Sequence, residues 1–312
     1  MRAQADRKFV LVTRQTRLDE LLVRFNTIQQ AQFYVEHLGA DFGDYLAEQK
    51  TYRASIEETT AALLGFGRVQ ELDRRYVSNF IFGKDDIVVV LGQDGLVANT
   101  LKYLDGQHVL GVNPDRRRWD GVLLPFEPRD LNKVLPEELA GRRAIGPVSM
   151  AKASLNTGEV LYAVNDLFVG PRSHVSARYV LKHGTQHERQ SSSGIIVSTG
   201  MGSTGWLRSL FAGVAGAAIE MGLPVSEEQV DPAFPREARY LQYFVREPFP
   251  SRTTATSLVT GRVEETAPLI VASEMADNGV IFSDGIEADF LTFNAGTVAT
   301  IGVAERQGLL VL

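Results

Sequence analysis

Apolar residues in the first third of the chain follow two alternating rhythms. Residues 9–12 form a short unbroken apolar run and predict a buried strand, and residues 69–72 read as a further strand with no such run. The clearest strand is residues 86–91 (DIVVVL), because it is apolar, β-branched and unalternating. Between these runs the spacing becomes helical: Leu18, Leu21, Leu22, Phe25 and Ile28 recur on one face. Thr16 is placed to cap that helix, with Asp19 three residues on as an imperfect capping box. A second helix is expected from about residue 56 to 64, ending at Gly65 and Gly67. Residues 92–95 read as a turn, 96–104 as a helix and 109–112 as a short strand. Alternating strand and helix argue for an α/β domain with a parallel sheet and helices on both faces.

The pattern then changes. Residues 126–139, rich in proline and charge, read as a connecting segment. Short β-rich stretches follow at 160–164, 177–181, 194–198, 269–273, 279–282 and 297–303. Their spacing suits a sandwich or layered antiparallel sheets. One apolar helix, about residues 206–221, interrupts them. The expected division is an α/β nucleotide-binding domain over 1–140 and a β-rich, sandwich-like domain over 141–312. Whether the last strand returns to the first domain stays open.

Composition narrows the function classes. The chain has 312 residues, 44% hydrophobic and 22% charged, a globular balance long enough for a full core. It has no cysteine, which excludes disulfides, thiolate metal sites and cysteine nucleophiles. A formal charge of -6 gives no global attraction to nucleic acid or an acidic membrane. No apolar run has the length of a membrane span. The opening MRAQADRKFVLVT is a polar lead followed by a run too short for a signal peptide, so a strand and a cytoplasmic location are expected. No His/Asp/Glu cluster has metal-site spacing.

The most informative local string is Val88-Val89-Val90-Leu91-Gly92-Gln93-Asp94-Gly95, a buried strand running into a turn and then a helix. Glycines let backbone N–H groups approach phosphates, and a helix N-terminus favours an anion. An aspartate at such a turn is suited to take a proton from a hydroxyl, or to contact a ribose or metal. Taken alone, the string slightly favours an ordinary strand–turn–helix corner with Asp94 capping the helix. The spacing is neither G-x-G-x-x-G nor a Walker A loop.

Further strings follow in order: Gly111-Val112-Asn113-Pro114, Tyr162-Ala163-Val164-Asn165-Asp166, Gly194 to Thr204 (GIIVSTGMGST), and Ser283-Asp284-Gly285. Together with Gly92-Gln93-Asp94-Gly95-Leu96 this series resembles the NAD kinase family from about residue 9 to the C-terminus. It is more similar to the branch that includes the animal mitochondrial enzyme, through Thr13-Arg14-Gln15-Thr16-Arg17, Asn113-Pro114-Asp115, Ser192-Ser193-Gly194, Thr199-Gly200-Met201-Gly202-Ser203 with Trp206, and Val245-Arg246-Glu247-Pro248.

The resemblance implies phosphorylation of the adenosine-ribose 2′-hydroxyl of NAD by ATP, giving NADP. In the family the aspartate of the first motif accepts the hydroxyl proton, which implies that role for Asp94. Gly92 and Gly95 would form the phosphate turn, and Asn113 would lie in the second loop of the site. Asn165 and Asp166 would hold the ribose. Gly202, Ser203 and Thr204 would line the dinucleotide, with Trp206 and Ser209 beside it. Magnesium would arrive with ATP, NAD would be substrate, and the family implies a homodimer. Each string also has a plainer reading: Asn165-Asp166 as a hairpin turn, Gly202-Ser203-Thr204 as a helix cap, Trp206 as core. Two positions depart from the family's G-G-D-G-T, namely Gln93 and Leu96. They motivate an alternative, a non-catalytic or regulatory NAD(P)-binding protein. A kinase of another diol or a lipid is a third reading, and retention of Asn165-Asp166 and Gly202-Ser203-Thr204 speaks against the lipid.

Overall fold

The computed structural model describes residues 7–225 and 230–312. The polar lead at residues 1–6 lies outside them. The chain divides into two units, Met1–Gly146 with Leu309–Leu312, and Pro147–Gly308.

In the first unit, β1 (Lys8–Thr13) runs into α1 (Arg17–Phe25). Thr16 and Asp19 form a complete capping box, with Thr16 Oγ1 accepting from the Asp19 N–H and the Asp19 carboxylate accepting from the Thr16 N–H. The helix stops at Asn26, in the left-handed conformation at φ 63°. Ile28 therefore belongs to a separate helix, α2 (Ile28–His37), which the hydrophobic spacing had merged with the first. The next helix, α3 (Phe42–Leu64), is 23 residues long and starts well before residue 56. Its buried face carries Glu48, Tyr52, Ser55 and Thr59. That stripe is polar, so its first half has no apolar rhythm to read.

β2 (Arg68–Asp73), β3 (Ile87–Leu91), α4 (Asp94–Leu101) and β4 (His108–Val112) follow. The sheet order is β2-β1-β3-β4, all parallel, and Leu309 and Leu310 pair with His108 and Val109 as a fifth parallel strand. Every residue of β3 is buried, as its unalternating sequence predicts. Phe9, Leu11, Val89, Leu91, Leu110 and Val112 pack against α3 on one face, while α4 contacts β3 and β4. Residues 128–139 are not a connecting segment. They form a 3-10 turn and α5 (Leu131–Leu139), which sets Leu131, Val134 and Leu135 into the same core despite Pro136.

The second unit holds two antiparallel sheets. β5 (Ile145–Leu155) pairs with β6 (Val160–Ala163). β7 (Asp166–Pro171), β8 (Ala177–His183), β9 (Gln186–Ser192) and β10 (Ile195–Ser198) follow, then α6 (Trp206–Glu220). The remaining strands are β11 (Tyr240–Val245), β12 (Thr260–Glu264), β13 (Leu269–Ser273), β14 (Gly279–Ser283), β15 (Ile286–Thr292) and β16 (Val298–Val311). One sheet runs β12-β11-β10-β7-β14-β15, and the other includes β16-β13-β8-β9. Leu167, Val169, Ile195, Val197, Tyr243 and Ile281 meet Tyr179, Leu181, Leu269, Val271 and Ile301 in the core of this unit. No helix among the described residues is long and apolar enough to cross a membrane.

Candidate functional site

The buried strand β3 delivers the first candidate group. Gly92 N–H donates to Val112 O (3.2 Å), and the Tyr52 hydroxyl donates to Leu91 O (2.8 Å), so the turn after β3 is fastened on both sides. Burial pushes the Tyr52 hydroxyl up to about 12, which keeps it a neutral donor. The helix begins two residues earlier than its apolar pattern suggests: Asp94 is its first residue and Gln93 its N-cap, with no side-chain cap bond. Asp94 is therefore not the cap. Its Oδ1 accepts from Leu123 N–H at 2.7 Å, and no partner of Oδ2 is found among the described residues. An acidic residue in the first turn also sits well against the helix dipole.

The loop that supplies Leu123 is held by the second motif. A Cβ on Gly111 would lie 1.8 Å from Leu123 O, so only glycine lets the loop cross β4 there. Asn113 is buried. Its Nδ2 donates to Trp119 O (3.0 Å) and its Oδ1 accepts from Asp115 N–H (3.0 Å), so its amide is engaged inside the loop. Arg116, Arg117 and Arg118 pair with Glu127, Asp115 and Asp44. Hydrogen bonds from Arg118 and Arg17 hold the Asp44 carboxyl well below the usual range, and Arg17 and the buried Arg14 share Glu48. The Thr13-to-Arg17 string thus braces the loop through α3.

Gly95 and Leu96 differ in what surrounds them. A Cβ on Gly95 would meet nothing within 4 Å, and its φ is ordinary, so nothing in the protein itself demands glycine there. Leu96 is buried, and its side chain packs where a Gly92 Cβ would fall. The hydroxyl of a threonine is replaced there by apolar contact.

In the second unit β7 begins at Asp166, one residue after the turn that follows β6. Asp284 binds this turn: its carboxylate accepts from Val164 N–H (3.1 Å), Asn165 N–H (2.6 Å) and Asp166 N–H (3.3 Å). Thr199 ties the turn to the next motif. Its N–H donates to Asn165 O (2.9 Å), its hydroxyl to Val164 O (2.5 Å), and the hydroxyl accepts from Met201 and Gly202 N–H. A Cβ on Gly202 would lie 2.3 Å from Asn165 O and 2.6 Å from Asp166 Oδ1, which explains that glycine. Asn165, Asp166 and Gly202 are thus brought together. Asp166 Oδ1 is buried with no hydrogen-bond partner among the described residues. Burial pushes this carboxyl up to about 7; the Ser198 hydroxyl opposes the shift and the Asp284 carboxylate reinforces it.

The remaining candidates divide. Ser203 is buried, with its hydroxyl donating to Gly200 O (2.7 Å) and accepting from Phe234 N–H (3.2 Å), so it is structural in the turn. Thr204 is exposed. Trp206 stacks on Phe168 (centroids 5.9 Å apart, planes at 10°) against a small cluster with Ile196 and Val280. Ser209 is exposed, with its hydroxyl on Gly205 O (3.3 Å). Leu123 lies outside the sequence strings, and Thr199 and Asp284 lie within them with no role assigned from sequence. An Asp-Gly pair in a hairpin was the one visible signal for Asp284; a backbone N–H such as that of Leu123 leaves none.

No family model matches the chain. It is 30% identical over 162 residues to an NAD kinase of Acinetobacter baylyi, covering 49% of this chain and 50% of that protein. It is 26% identical over 224 residues to a probable NADH kinase of Oryza sativa, covering 64% and 63%. The chain thus spans about half to under two thirds of the length of these relatives. Among solved structures it resembles an NAD kinase from Archaeoglobus fulgidus in complex with ATP (TM-score 0.56, 16% identity, covering 98% and 93% of the two chains). It also resembles yeast NADH kinase complexed with NADH (TM-score 0.58, 15% identity, covering 99% and 84%). The chain has the fold of these NAD kinases. Its α/β unit and its unit of antiparallel sheets are those of the NAD kinase fold.

Proposed function

We propose that this chain is an NAD kinase, transferring the γ-phosphoryl group of ATP to the 2′-hydroxyl of the adenosine ribose of NAD. The new bond joins O2′ to the γ-phosphorus, the bond from that phosphorus to the β,γ-bridging oxygen breaks, and ADP leaves. The 2′-oxygen must lose its proton as it attacks, and Asp94 is the acceptor in this reading. The observation that carries it is the state of that carboxylate. One oxygen is pinned by Leu123 N–H and the other has no partner among the described residues, at the first turn of a helix beside an unfilled Gly95. A fixed carboxylate with a free oxygen is what general-base work needs.

Asn165 and Asp166 are the groups proposed to hold the ribose. Asp166 Oδ1 is an acceptor lacking a donor, and a sugar hydroxyl would supply one. Thr204 lines the dinucleotide in the same reading. Magnesium would come with ATP and neutralise charge on its phosphates, since no group of three or more acidic or histidine side chains that could hold a metal occurs among the described residues. A homodimer belongs to the same proposal and is checked by light scattering.

The test is incubation of the protein with NAD, ATP and magnesium, reading NADP, beside Asp94→Asn. Asparagine can still accept from Leu123 N–H, so dinucleotide affinity is expected to stay while turnover falls about 10²–10⁴-fold. Dinucleotide binding without NADP from ATP or polyphosphate would leave the binding-protein reading in its place. That reading has its own support in Leu96, which substitutes apolar packing for a phosphate-facing hydroxyl.

A further inference from the structure

The hairpin between β14 and β15 contains Asp284 (φ 54°) and Gly285 (φ 71°), two successive left-handed residues. That geometry belongs to a two-residue type I′ turn, where Asn-Gly and Asp-Gly both serve. The turn by itself therefore does not demand a carboxylate. Yet the Asp284 side chain leaves its own hairpin and accepts from three consecutive backbone N–H groups, those of Val164, Asn165 and Asp166. Both oxygens take part, each lying 3.1 Å from Val164 N. Asp284 N–H in turn donates to Asp166 O (2.9 Å). Three amides converging on one carboxylate form a nest, and such charge-assisted bonds are the stronger kind.

We propose that Asp284 is a positioning residue: its carboxylate fixes the backbone of the Asn165–Asp166 turn so that both side chains meet the dinucleotide ribose. The proposal rests on the ribose-binding reading of that turn. Asp284 touches no substrate. It acts by setting where Asn165 and Asp166 point, and the close fit of Gly202 over Asn165 O and Asp166 Oδ1 leaves the turn little room to adjust. A turn displaced by about an ångström is enough to cost about two orders of magnitude in a positioned site.

Two substitutions separate this role from a turn-forming one. Asp284→Gly keeps the left-handed geometry and removes the carboxylate. Asp284→Asn keeps the geometry and one acceptor oxygen but removes the charge. Amide hydrogen exchange read by NMR is expected to quicken in Asp284→Gly at Val164, Asn165 and Asp166, while the β14–β15 ladder stays protected. Dinucleotide affinity, measured by calorimetry with NAD alone, is expected to weaken about ten- to a hundredfold in Asp284→Gly, with partial rescue in Asp284→Asn. KM for NAD should rise more than kcat falls.

A pH readout is specific to the charge. Asp166 faces Asp284 and the Ser198 hydroxyl, and the Asp284 charge helps raise its carboxyl. Removing that charge in Asp284→Asn should move the midpoint of the pH dependence of NAD affinity below that of the unaltered protein. Unchanged exchange at the three amides, unchanged NAD affinity in Asp284→Gly, or an unmoved midpoint overturns the proposal. If the unaltered protein binds no dinucleotide, the ribose reading itself fails, and the exchange rates show separately whether the nest holds the turn.

Discussion

Asp166 shows how much one buried carboxyl contributes to the behaviour of its unit. Its pKa is raised from 3.8 to about 7, chiefly by burial. A carboxyl raised on folding prefers the protonated folded state. Its contribution is fully present below about pH 4 and is lost as pH rises through about 7. Thermal melts of the protein and of Asp166→Asn should therefore diverge with pH. The variant is expected to gain stability relative to the parent at pH 8, and to show a clearly smaller gain at pH 5. A constant offset between the two would mean that Asp166 does not titrate in this window. In the proposed ribose-binding role, bound dinucleotide should blunt the effect, because ribose hydroxyls would give the ionised carboxylate donors. Asn113 teaches the converse lesson. Its side chain is as polar as that of Asn165, yet both ends of its amide are used inside its own loop. Polarity at a motif position does not say whether the group faces a ligand or the backbone.

Among the elements, the first turn of α4 and the crossing of β4 by its following loop make opposite demands on glycine. Gly95→Ala should leave the melting temperature unchanged or slightly raised, since the space is open and alanine favours helix. If ATP phosphates approach that turn, KM for ATP should rise; an unaltered KM would remove Gly95 from the phosphate turn. Gly111→Ala drives a methyl into Leu123 O and should cost about 1–3 kcal/mol in denaturant unfolding. It should also lower kcat, because Leu123 N–H orients Asp94. The elements missed from sequence share a cause. Helix α3 buries Glu48 against Arg14 and Ser55 against a loop carbonyl, and Thr59 is buried beside them, so its inward face looks like an outward one. Strand β9 (QHERQSS) is polar throughout and β15 (IEADFLT) has no fully buried residue, so both gain their place by pairing with β8 and β14. In α5 a proline and charged neighbours mask a clear triplet of inward apolar residues.

At the scale of the molecule, the chain leaves its first unit at Gly146 and re-enters it with its last four residues. Leu310 and Val311 are fully buried there, and Val311 packs with Phe9, Leu11 and Val89. Deleting residues 309–312 should destabilise that unit by about 3–6 kcal/mol, the usual worth of two buried aliphatic side chains. Differential exchange should find the loss in β3 and β4, with the cores of the antiparallel sheets protected as before. Equal loss in both units would contradict the division.

The sequence by itself determined which strands of the first unit are buried, because an unbroken β-branched run is read without knowing its neighbours. It also determined the order of the motifs, the Asp94 turn and the Asn165–Asp166 pair, since these are local strings. Tertiary structure alone decided which polar groups are spent. Leu123 N–H on Asp94, Thr199 on the Asn165–Asp166 turn and Asp284 beneath it join residues 29, 35 and about 120 positions apart. Hydrogen bonds between groups so distant depend on where the chain folds back, and no local pattern of hydrophobic and polar residues encodes that distance.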